Sequence, residues 1–181
     1  MVGAAVSLTA VVGALRDADG VGYPVQMTSP SENPALIARA LASSLRYGTL
    51  ATLAREPAGT PFASFVACAL DDTGQPILLL SALAEHTKNL AVDARASILL
   101  VERALPDADP LALGRVTLLG EVKRVDDPDS VSERYFTLHP AARAYLAMRD
   151  FAFWRLSVES ARWVGGFGRM SWIAGDDWRA A

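Results

Sequence analysis

A hydroxyl, an imidazole, a second hydroxyl and an ammonium group stand close together in Ser81-Ala82-Leu83-Ala84-Glu85-His86-Thr87-Lys88-Asn89. The apolar run Ile77 to Leu80 leads into Ser81, and the residues after Leu83 read as the first turn of a short helix. Free backbone N–H groups and the positive end of the helix dipole gather at such a turn and favour an anion. Thr87 adds a donor and Lys88 a charge, so the pattern predicts a phosphate seat between Ser81 and Lys88. The same spacing also describes a capped surface helix with a solvated His-Thr-Lys face.

Other chemistries find less support. The chain has two histidines and one cysteine, scattered, which makes no zinc-binding pattern. No G-x-S-x-G nucleophile elbow occurs. Gly165-Gly166-Phe167-Gly168 lacks the strand-to-helix context and the Lys-Ser/Thr ending of a phosphate loop, and reads equally as a turn or bulge between strands. Trp154, Trp163, Trp172 and Trp178 cluster with Phe151 and Phe153 near the end of the chain, where they suit a core, a subunit seam or a shield for a ligand.

The elements that must position these residues are mostly strands. A helix is expected from Pro34, capped by Asn33, to about Arg46, with Leu36, Ile37, Ala40, Leu41, Ser44 and Leu45 on one face. Short apolar runs follow with turn residues between them: Thr49 to Leu53, Phe62 to Leu70 and Ile77 to Leu80, then a helix from Ala84 to Ala94. Strands return at Ser97 to Arg103 and Gly114 to Val125. Asp127-Pro128 starts a helix that His139-Pro140 interrupts, with a second short helix ending near Met148. Phe151 to Val158 and Ala161 to Val164 are the last strands. The class is mostly β, a closed or split barrel with helices between and around its strands.

A length of 181 residues suits one domain, and folding at that size buries roughly 70% of the surface of the unfolded chain. Residues 31–181 are expected to form it, and residues 1–30, rich in Gly, Ala, Ser and Pro, read as a loosely ordered extension or a start codon placed too early. The single cysteine, Cys68, excludes an intrachain disulfide and makes the cytoplasm the default compartment. A net charge of −3 without any Lys/Arg run argues against nucleic acid and anionic lipid as partners. No window approaches the roughly 20 apolar residues of a spanning helix.

Gly48 to Leu53, Pro61-Phe62-Ala63-Ser64, Ser81 to Leu90, Ala94 to Leu100, His139 to Ala142, Asp150 to Phe153 and Val164 to Arg169, in this order and spacing, resemble the pyridoxamine 5′-phosphate oxidase-like FMN-binding split-barrel family. The likeness is greatest to its HugZ-type haem-utilisation branch, and it spans nearly everything after residue 34. It implies a six-stranded antiparallel split barrel that forms a homodimer, with FMN as cofactor in clefts between subunits. The strand with Ala63, Ser64, Phe65 and Val66 would run along the flavin, the corner with Ser81, His86, Thr87 and Lys88 would hold the phosphate, and Trp163 and Arg169 would come from the other subunit.

The departures bear on function. The Arg-x-His pair that reads pyridoxal phosphate is absent after the glycine segment, since Arg169 is followed by Met170 and Ser171. True pyridoxamine phosphate oxidase activity is therefore not expected. The leading expectation is an FMN-dependent oxidoreductase acting on a small-molecule redox substrate, with the cofactor carrying the chemistry. The alternative is a non-catalytic dimeric barrel that has lost flavin and binds haem or another planar ligand. With haem, the only histidines available as iron ligands are His86 and His139.

Overall fold

The computed structural model describes residues 33–181 and, of the preceding segment, the backbone of two short strands, β1 (Ala14–Arg16) and β2 (Gly22–Pro24), paired antiparallel. The extension expected over residues 1–30 otherwise lies outside the described residues. Helix α1 (Pro34–Ser44) starts as its sequence dictates: the Asn33 side chain accepts from the Ala35 amide at 2.9 Å and Pro34 takes the first helical position. Its deepest face is Ala35, Ala38 and Ala42, whereas Leu36 is half exposed. The buried stripe is thus rotated from the expected one, because small side chains let the helix backbone approach the sheet while Ile37, Leu41 and Leu45 flank the contact.

The strands are β3 (Tyr47–Leu53), β4 (Pro61–Leu70), β5 (Pro76–Ser81), β6 (Arg95–Val101), β7 (Gly114–Arg124), β8 (Phe151–Gly165) and β9 (Met170–Ala174). They form one antiparallel sheet in the order β5-β4-β3-β6-β7-β8-β9, and β5 also pairs with β8. That last pairing closes the six strands β3 to β8 into a barrel and leaves β9 as an additional strand on β8. Helix α2 (Glu85–Leu90) follows β5, α3 (Asp129–Leu138) and a 3-10 segment (Pro140–Ala147) lie between β7 and β8, and α4 (Gly175–Ala180) ends the chain.

The barrel interior is apolar. Leu50, Ile98, Leu100, Val116, Leu118, Val122 and Leu156 have no solvent exposure, and each such side chain contributes roughly 1.5–3 kcal/mol on burial. A second cluster, Ile77, Leu79, Val131, Tyr135, Phe136 and Phe153, packs α3 on the outer face of β5. Strand β5 is therefore buried on both faces, which explains why its sequence reads as a continuous apolar run and not as an alternation.

Two strands were expected over 151–158 and 161–164, but β8 is one strand of 15 residues. It stays continuous because a bulge absorbs the irregularity: Leu119 pairs with Ser160 and Gly120 with Val158, leaving Glu159 as the extra residue. The bend lets the first part of β8 pair with β5 and the last part with β9. Gly120 is required at this point, since a Cβ there would lie 1.9 Å from the Ser157 carbonyl oxygen. Replacing Gly120 by Ala should destabilise the domain by about 1–3 kcal/mol, the usual cost of overpacking. Urea unfolding checks this, and an unchanged midpoint would refute the role given to the bulge.

Candidate functional site

The corner between β5 and α2 has the predicted residues in place, but Ser81, His86 and Lys88 each turn to a partner of their own. Ser81 Oγ donates to the Asp150 carboxylate at 2.5 Å and accepts from the Leu83 amide at 3.1 Å. Lys88 Nζ lies 3.5 Å from Glu85, whose other carboxylate oxygen is 3.1 Å from Arg55. Thr87 is buried, and among the described residues its hydroxyl has no hydrogen-bond partner. Asn89, which sequence reasoning passed over, anchors the corner: its amide group donates to Thr52 Oγ1 at 3.0 Å and accepts from the Arg55 amide at 3.1 Å.

His86 and Ser64 do come together. The imidazole Nδ1 is 3.0 Å from Ser64 Oγ, and that hydroxyl is 3.4 Å from the Leu50 carbonyl. With the hydroxyl donating to Leu50 it accepts from Nδ1–H, so Nε2 carries the lone pair, and among the described residues nothing bonds to it. Burial of the half-buried ring lowers its pKa. His139 is differently placed: buried, with Nε2 2.9 Å from the Cys68 carbonyl and its ring 4.7 Å from that of Tyr135, it is a structural side chain.

The four residues on β4 divide between two faces. Ala63 and Phe65 point outward, Phe65 with three-quarters of its surface exposed, while Val66 lies in the core and Ser64 turns to His86. Trp163 is also a core side chain, and the Arg169 guanidinium sits over its ring at 5.7 Å. Val66 and Trp163 accordingly offer no side chain to a ligand within this protomer.

The outward face of β3, β4 and β6 carries a feature that the sequence reading missed. Tyr47 stacks on Phe65 at 5.5 Å, and the pair borders a groove of about 350 Å³ with Thr49, Leu99 and Val101 as its floor. Arg46 and Arg103 also line the groove. The signal lay in the alternation of β3, whose odd-numbered residues form the wetter face, and in register, since Thr49 stands between Phe65 and Leu99.

Because burial depresses the His86 pKa, the unfolded chain binds more protons than the folded one between the lowered value and the ordinary one of about 6.5. Stability should therefore fall as pH is lowered through that window and recover above it. Urea unfolding across this range checks the slope. His86→Ala should flatten it, and an unchanged slope would show that another group is responsible.

Comparison with known proteins identifies relatives. The family model described as "CREG, beta-barrel" matches residues 29–180. A solved structure of a heme-binding protein from Mycobacterium smegmatis is 41% identical, with a TM-score of 0.77, over 84% of this chain and 62% of that one. The protein named "Non-canonical heme oxygenase HOZ, chloroplastic" of Arabidopsis thaliana is 36% identical over 121 residues, 66% of this chain. This chain spans 36% of the length of that protein. Campylobacter jejuni ChuZ, 20% identical, shares the fold with a TM-score of 0.67 over 78% of this chain and 58% of its own.

The expectation of FMN as cofactor is corrected by these findings, since the relatives at 36% and 41% identity are named for haem and not for flavin. The corner shows a physical reason: the Ser81 hydroxyl is committed to Asp150 and the Lys88 ammonium to Glu85, so two groups expected to meet a phosphate dianion already serve carboxylates. No helix among the described residues is long and apolar enough to cross a membrane. The chain belongs to the CREG beta-barrel family, in the HugZ-like branch of the split barrels.

Proposed function

We propose that residues 31–181 form a single haem-binding domain that works as a homodimer, the haem lying in the groove on the outer face of the barrel. The observation that carries this reading is an apolar groove with an aromatic wall, Tyr47 and Phe65, and two arginines, Arg46 and Arg103, in its lining. Haem is a flat apolar ring with two carboxylates. Such a ring gains from stacking on aromatic side chains, and its carboxylates suit bidentate guanidinium groups. When bound, the ring brings an iron centre with redox chemistry to the site.

His139 is not assigned as an iron ligand in this reading, because its ring is buried and packs against that of Tyr135. His86 meets Ser64, whose side chain lies on the opposite face of β4 from Phe65, so His86 is not assigned to the groove either. Phe65, Leu99 and Val101 are exposed in the single chain, which supports a second copy that closes over the groove. Heme-binding and heme-oxygenase relatives support the same ligand class.

Titration of the purified chain with hemin should give a saturable Soret band. Replacing Arg46 and Arg103 together by Glu should weaken binding about tenfold to a hundredfold or more, as loss of a charge-assisted bond costs about 1.5–3 kcal/mol. Phe65→Asp should weaken it as well, whereas His86→Ala should not. Absence of a Soret band, or full affinity in the groove variants, would overturn the assignment, and a monomer in sedimentation equilibrium would overturn the homodimer.

A further inference from the structure

Two residues whose buried donors have no partner among the described residues line one cavity. Among the described residues Thr87 Oγ1 and Trp154 Nε1 both lack a hydrogen-bond partner, and both residues line a cavity of about 120 Å³ at the end of the barrel, where β5, α2, β7 and β8 converge. Thr87 itself is only 7% exposed. Leaving a buried polar group unpaired costs about 1–3 kcal/mol, so a fold that leaves two at one place calls for a ligand or water there. An indole N–H can only donate, so whatever meets Trp154 must accept.

The remaining lining gives that acceptor a charge. Arg124 stands directly opposite Trp154 in the β7–β8 ladder, and Arg149 immediately precedes Asp150. Both arginines are exposed, and among the described residues neither has a hydrogen bond or ion pair. The third charged group in the lining is Asp150, one of whose oxygens accepts from Ser81. Two guanidinium groups against one carboxylate leave the cavity net positive. Its volume would hold about four waters, at about 30 Å³ for each, and so accommodates a single tetrahedral oxyanion.

We propose that this cavity is an oxyanion site: Thr87 and Trp154 donate from inside, Arg124 and Arg149 hold the charge at the mouth, and the ligand is a phosphate or carboxylate group. The site is separate from the outer groove and does not depend on haem binding there. The expected readout is the indole N–H resonance of Trp154, assigned with Trp154→Phe. Inorganic phosphate should shift it saturably, whereas chloride at equal ionic strength should not.

Acetate serves as the second probe: tighter binding of phosphate identifies a phosphate group as the natural ligand, and tighter binding of acetate a carboxylate. Arg149→Gln, an exposed change without risk to folding, should weaken the preferred anion by about tenfold, the worth of one charge-assisted bond. Thr87→Val should weaken it too, yet melt no lower than the parent in chloride buffer, because it removes an unpaired buried hydroxyl. No shift with either anion, or unchanged affinity in both variants, would mean that water alone fills the cavity and would overturn the proposal.

Discussion

The antiparallel pairing of Ile77–Ser81 with Phe151–Arg155 turns a twisted sheet into a barrel, and every site described above inherits its geometry from that ladder. Pairing Ser81 with Phe151 carries Asp150 to the start of α2, where its carboxylate takes the Ser81 hydroxyl and its backbone carbonyl the Ala82 amide. The same ladder sets Trp154 opposite Leu78, next to Leu80 and Thr87 in the wall of the small cavity. A strand that closes a barrel must also leave it, and the bulge at Glu159 supplies the bend by which β8 exchanges β5 for β9.

Closure also separates the two faces of β3 and β4. Inward residues such as Leu50, Thr52 and Val66 are sealed in the core, so only the outward set, Tyr47, Thr49, Ala63 and Phe65, can meet a ligand or a second copy. The outward set combines aromatic and aliphatic surface with flanking arginines, a composition suited to a planar apolar ring with acidic substituents. The two imidazoles illustrate the same partition: the core spends the buried His139 on a carbonyl, while the half-buried His86 of α2 keeps one nitrogen uncommitted among the described residues.

The order of elements was legible in the amino-acid sequence because it depends on local physics. Asn33-Pro34 starts a helix by capping, turn residues separate short apolar runs, and a strand buried on both faces reads as an unbroken apolar stretch. The split-barrel family was legible for the same reason, as an ordered series of such local pieces spread over most of the chain. What tertiary structure alone decided was the partner of each polar side chain. Ser81 and Asp150 are 69 positions apart, Cys68 and His139 are 71 apart, and no periodicity announces that they meet. A hydroxyl and an ammonium group in sequence suggest an anion seat, but whether they are free to hold one depends on carboxylates that only the closed barrel brings beside them.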